Sequence, residues 1–166
     1  MALPTLRIAL ASAALALAAC SPAADNAATN GADVPTPRNP FFGAWEVTRA
    51  HIAPWWKGPG DEPAADPAFA RFTLHADKTT GPPLLTCDKP NYTTNIASAS
   101  ALFQGMLPEP AADAAALGFT SPEITVMSFT CESGASDVQL DFPMLDEKQI
   151  MLGLDNVIYT FKRTGD

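Results

Sequence analysis

Hydrophobic and polar residues alternate with period two over several short stretches of this chain, the pattern of strands that bury one face. Trp45 and Val47 share one face of the first stretch, with Glu46 and Thr48 on the other. Phe72 and Leu74 mark a second strand near 69–76. Val138, Leu140 and Phe142 alternate with Asp137, Gln139 and Asp141 in the most regular strand of the chain. Ile150, Leu152 and Leu154 resume the pattern after an Asp146-Glu147-Lys148 turn. The last strand puts Val157, Tyr159 and Phe161 inward and Ile158, Thr160 and Lys162 outward. Within 123–131 the phase changes: Ile124 and Val126 have one parity, and Met127, Phe129 and Cys131 the other. That switch fits either a bulge or a strand covered on both faces. Ile96–Met106 and Pro110–Leu117 read as helices, the second with Pro at its start and Gly118 just past its end. A strand, short helices and then antiparallel hairpins to the C-terminus predict a mostly β fold, a small antiparallel β-barrel or sandwich. No internal repeat is visible.

Length and charge narrow the function classes. The chain of 166 residues suits one ordinary domain plus short extras. With 10 Lys and Arg against 18 Asp and Glu, its formal net charge is -8. That balance argues against nucleic acid as a partner, which demands clustered cations to displace counterions from phosphates. No run of about 18 or more apolar residues offers a membrane span. The 47% hydrophobic content is inflated by an Ala-rich N-terminal segment.

That segment carries the strongest single signal. One cation, Arg7, precedes an uncharged apolar stretch from Ile8 to Ala19, which is the layout of a secretory signal. It ends in Leu17-Ala18-Ala19-Cys20, which resembles a bacterial lipobox. The resemblance implies a lipoprotein signal peptide over 1–19, a diacylglyceryl group on the Cys20 thiol, cleavage before Cys20 and acylation of the new amine. Small side chains at 18 and 19 suit a narrow protease site, and Cys alone offers the thiol nucleophile. The other reading is an ordinary secretory signal followed by an incidental Cys. A multiply acylated Cys20 anchors stably to a membrane, as a single chain does not. Ser21 in place of the Asp that marks inner-membrane retention implies, by the same resemblance, the outer membrane facing the periplasm. Beyond Cys20, residues 21–40 contain no aromatic residue and one branched aliphatic, Val34. Such a stretch has too little apolar surface to offset chain entropy, so 20–40 reads as a disordered tether with a span of roughly 25 Å. The barrel domain is then 41–166.

In an exported protein whose Cys20 carries lipid, Cys87 and Cys131 remain as an even pair, in a compartment where disulfides form and persist. Closing that loop would contribute roughly 4 kcal/mol in the chain-entropy model. The competing readings are a metal site and a catalytic thiol. Against the metal stand the absence of a C-x-x-C and the presence of only 2 His, His51 and His75. No cofactor is implied.

Gly43-Ala44-Trp45 at the first strand and Arg163 at the end of the last are similar to lipocalin-like barrels. Such barrels pair a G-x-W with an Arg packed across the indole. Arg163 shares parity with Tyr159 and Phe161, so the resemblance implies that Trp45 and Arg163 close the barrel base through a cation–π contact. The helical middle of the chain departs from an uninterrupted meander. Residues 41–166 also resemble small proteobacterial envelope proteins with a G-x-W start, a central Cys-x-x-Pro-x-Tyr and a second Cys after a strand. Here the central element is Cys87-Asp88-Lys89-Pro90-Asn91-Tyr92. This second resemblance implies no activity.

Motifs for catalysis do not emerge. The chain has no G-x-S-x-G, H-E-x-x-H, P-loop or G-x-G-x-x-G, and Lys57-Gly58-Pro59-Gly60 reads as a turn. The pairs Asp61-Glu62 and Asp146-Glu147 sit in turn contexts, where neighbouring carboxylates do not face each other for acid–base work. His51 and His75 read as surface residues, and no enzyme is expected. Pro54-Trp55-Trp56-Lys57 puts adjacent indoles in a loop, where Trp55 and Trp56 are candidates for ligand or partner contact. The competing reading is that one caps the barrel and the other packs on a helix. Membrane-bound lysozyme inhibitors are lipoprotein barrels with a Ser-Gly-x-x-Tyr element, but Ser133-Gly134-Ala135-Ser136-Asp137 lacks the Tyr. The expectation is therefore a non-enzymatic binding module for an envelope protein or glycan. The alternative is a carrier of a small apolar or amphipathic ligand inside the barrel. A core filled by Trp45, Phe72, Leu140, Phe142 and Phe161 favours the first.

Overall fold

The alternating stretches form eight strands, all paired antiparallel: β1 (Gly43–Ile52), β2 (Arg71–Leu74), β3 (Thr79–Thr80), β4 (Pro90–Ala97), β5 (Ile124–Cys131), β6 (Leu140–Asp146), β7 (Gln149–Leu154) and β8 (Val157–Gly165). The computed structural model describes residues 38–58, 65–132 and 138–165, all within the compact unit Thr36–Asp166. Cys20, the expected 1–19 signal, residues 20–37 of the expected tether, Asp61-Glu62 and the 133–137 segment lie outside the described residues.

The sheet order is β3-β2-β1-β8-β7-β6-β5-β4. Strands therefore follow chain order around the wall, with β8 returning beside β1 and the seam falling between β3 and β4. A backbone bridge between Thr79 and Cys87 crosses that seam, with N–H groups donated in both directions. The result is a small, nearly closed antiparallel β-barrel with short helical elements, the barrel of the two β architectures that the alternation left open.

Bulges set which side chains face out. Between β1 and β8, Val47 pairs with Phe161 but Arg49 with Thr160, so Thr48 is the extra residue. One inserted residue reverses the phase of everything after it. Trp45 and Val47 face inward, and the odd-numbered Arg49 and His51 face outward, paired with Thr160 and Ile158. A similar irregularity at Leu145 separates the pairs Met144–Ile150 and Asp146–Gln149.

Two hydrophobic clusters result. The interior holds Trp45, Phe72, Met127, Phe129, Phe142 and Phe161, all buried, with Phe72 ring centroids 4.9 Å from Phe161 and 5.7 Å from Phe142. Each fully buried side chain of this size contributes roughly 1.5–3 kcal/mol. The second cluster lies outside the barrel, where the β4–β5 connection lays Leu102, Phe103, Leu107, Ala114 and Phe119 over Ile124, Met151 and Ile158.

This outer cover explains where the sequence pattern and the structure differ. Ile158 and Thr160 point outward as expected, yet both are buried. The phase switch in 123–131 is a strand covered on both faces: β5 pairs with β4 without a register shift, its Met127 and Phe129 in the interior and its Ile124 in the outer cluster. The expected helix over Ile96–Met106 is a correction. Ile96 belongs to β4, where it pairs with Thr125, and only Ala99–Gly105 turns as a 3₁₀ segment. That segment breaks at Leu102–Gln104, with Phe103 and Gln104 at positive φ. Burying the Phe103 ring against β7 overrides local helix preference there. Pro110–Leu117 is α1 as expected, ended by left-handed Gly118. Val138 precedes β6 and is 40% exposed.

Candidate functional site

One end of the barrel is closed by a built plug. Trp45 pairs directly with Arg163, whose guanidinium carbon lies 4.5 Å from the indole centroid. The guanidinium donates from Nη1 to the Phe42 carbonyl and from Nη2 to the Pro40 carbonyl, while Trp45 Nε1 donates to Phe41 at 2.8 Å. Gly43 makes this possible. Its φ of 134° suits glycine, and a Cβ there would stand 2.8 Å from Arg163 Nη1. The Gly43 and Trp45 of the G-x-W thus serve one contact. Toward the other end, Phe69 enters the interior beside Tyr159, ring centroids 5.5 Å apart, and the Asp66 amide donates to the Tyr159 hydroxyl.

The seam is closed covalently as well. Cys87 and Cys131 form a disulfide with Cα atoms 5.9 Å apart, joining the residue that bridges β3 to the end of β5. Tyr92 on β4 donates its hydroxyl to the His75 carbonyl and packs against Phe42 at 5.2 Å. Burial, with the Asp77 charge adding to it, pushes the Tyr92 hydroxyl well above its usual range, so it stays a donor.

Trp55 and Trp56 do not form a matched pair. Trp55 sits beyond β1, at the end of the barrel opposite Arg163, and leans on Phe103 with ring centroids 5.7 Å apart. Its Nε1 donates to the Asp155 carbonyl at 3.2 Å. Gly153 provides the space, since a Cβ there would lie 2.7 Å from the Phe103 ring and 3.3 Å from Trp55. Trp55 is therefore tied into the outer cluster. Trp56 is half-buried beside Gly58.

The residues that converge on open space are different ones. A groove of about 490 Å³ runs outside the barrel between α1 and the sheet. Its floor is Met151, Gln149 and Thr160; Asp113, Ala116 and Leu117 of α1 form one wall, and Arg49, His51 and Pro54 line the β1 side with Thr48. The irregular positions Thr48 and Leu145 line it. Thr48 is held by donating to the Thr160 carbonyl at 3.2 Å. Asp113 accepts from the Glu109 amide at 2.8 Å through Oδ2, which fixes the start of α1. His51 Nδ1 is buried without a hydrogen-bond partner. Burial first, and the neighbouring Arg49 charge second, hold the His51 imidazole below its usual pKa, so it is neutral near pH 7. The ion pair formed among the described residues is Arg71–Glu46 at 3.6 Å, so Arg49 and Asp113 face the same groove without being paired within ion-pair range.

Sequence reading assigned His51 to the surface and did not find this site. Strict alternation from Trp45 would carry Arg49 and His51 to the interior face, and the Thr48 bulge is what turns them onto the groove. His75 is exposed, away from the groove. Among the described residues no group of His, Cys, Asp and Glu could hold a metal ion. No helix there is long and apolar enough to cross a membrane. Fold and site together define a small antiparallel β-barrel with a packed interior and an outer helical cover. Compared with family models, curated proteins and solved structures, the chain matches none.

Proposed function

We propose that this chain is an outer-membrane-anchored periplasmic lipoprotein, held by lipid on Cys20, whose lipocalin-like barrel is a non-enzymatic binding module that meets an envelope protein or glycan through its outer surface. The observation that carries the surface reading is the filled interior. Phe72, Phe129, Phe142 and Phe161 occupy the barrel, Arg163 and Trp45 plug one end, and Phe69 enters from the other. A ligand carried inside would have to displace buried aromatic rings, at several kcal/mol each. The groove beside α1 lies on the outside, where Arg49 is exposed and Asp113 partly exposed. Support for the anchor is the Leu17-Ala18-Ala19-Cys20 resemblance.

Native mass spectrometry of the chain purified from membranes tests both parts. The expected species carries acyl mass on Cys20 and retains a partner that salt or mild denaturation releases without unfolding the barrel. Cys20→Ala is expected to lose membrane fractionation and keep the wild-type melting curve. Membrane fractionation equal to wild type would overturn the anchor. A retained small ligand released only on unfolding would overturn the surface reading in favour of an interior carrier.

A further inference from the structure

The groove beside α1 brings together three features that one class of ligand would satisfy. Arg49 and Asp113 have opposite charge, come from different elements and are not paired with each other. The gap between them therefore exceeds the 4.0 Å of an ion pair. Met151, Leu117, Leu145 and Ala116 provide an apolar surface between these groups. The volume of about 490 Å³ falls in the range of small-ligand pockets.

We propose that this groove binds a short apolar peptide bearing both free termini, its carboxylate on Arg49 and its amine on Asp113. A carboxylate meets a guanidinium with good geometry and charge. Asp113 commits Oδ2 to the Glu109 amide, and its other carboxylate oxygen serves the amine. Apolar side chains cover Met151 and Leu117. The Thr48 bulge, which turns Arg49 and His51 outward, is what builds the site. The proposal names a ligand for the outer surface and so rests on the surface-binding reading, but its test stands apart from that of the larger partner.

Equilibrium dialysis of the full chain in mild detergent uses labelled leucyl-leucine, its N-acetyl derivative and its C-terminal amide as probes. Saturable binding of the free dipeptide at one site is expected, with each blocked terminus costing about tenfold or more in affinity. Arg49→Gln is expected to weaken the free dipeptide by a similar factor and leave the amide unchanged. Asp113→Asn, which preserves an acceptor for the Glu109 amide, is expected to act in the same way on the amine side. Ala116→Phe, on the exposed wall of α1, is expected to abolish binding with far-UV circular dichroism unchanged. Should Asp113→Asn disturb α1, Arg49→Gln and Ala116→Phe still decide. Equal affinity for all three probes, insensitivity to Arg49→Gln or no saturable binding overturns the proposal. If no dipeptide binds while native mass spectrometry still shows a retained partner, this inference falls and the surface reading stands.

Discussion

Trp45 and Arg163 are coupled by register, by ring geometry and by the carbonyls of Pro40 and Phe42 that the guanidinium binds. Trp45→Ala is expected to cost roughly 3–5 kcal/mol of stability. Arg163→Ala is expected to cost less, and the double variant about 1 kcal/mol or more less than the sum, measured by denaturant titration in a double-mutant cycle. Additivity would mean that the two side chains act independently. His51 supplies a second residue-scale test. Its folded pKa lies below the usual 6.5 because burial, and then Arg49, disfavour the imidazolium. The neutral form is thus preferred in the folded state. Its contribution is complete above about pH 6.5 and is lost as pH falls through the lowered folded value. Asp113 and Gln149 also line the groove that His51 faces. Stability is expected to fall on acidification from about pH 7 to about pH 5, with a shallower slope in His51→Gln. Identical slopes in the two proteins would remove His51 from the account.

At the scale of elements, the seam is the weak place in the wall. β3 has two residues, and it reaches the β4 side through one backbone bridge, the Cys87–Cys131 disulfide and the Tyr92 hydroxyl. Cys87→Ser is expected to lower stability by roughly 2–4 kcal/mol. Hydrogen exchange in that variant is expected to quicken first in β3 and β4, while the long β1–β8 ladder stays protected. Uniform loss of protection would show that the seam unfolds with the rest of the barrel. The outer cover makes a different prediction. Trp55 and Phe103 share the pocket over Gly153. Trp55→Ala is therefore expected to destabilise the chain by about 3 kcal/mol. Trp56→Ala, half-buried and outside both clusters, is expected to cost well under that, with thermal melts separating the two. Equal losses would place Trp56 in the core as well.

Over the whole molecule, the barrel has two apolar layers on a single wall. β7 and β8 face the interior with Ile150, Leu152, Tyr159 and Phe161, and the outer cluster with Met151 and Ile158. The groove lies beside these doubly covered strands, lined by residues of α1 and β1. Binding there needs no opening of the barrel. The interior, plugged at the Trp45–Arg163 end, is a structural core.

Alternation alone was enough to locate the β6–β8 hairpins, to place Tyr159 and Phe161 inward and to put Arg163 on the face of Trp45, because period two in a half-buried strand reports orientation directly. Proline and glycine were enough to bound α1, since each acts through its own backbone. The tertiary structure decided the rest. Ile158 reads as an exposed residue until a segment from elsewhere in the chain covers it, and Ile96 reads as helical until β5 offers it a partner. Arg49 and His51 turn outward only because Thr48 is an unpaired residue against β8, and the sequence of β1 by itself carries no mark of where its partner will skip a register. Orientation within a strand is a local property, whereas cover, pairing and bulges belong to two segments at once.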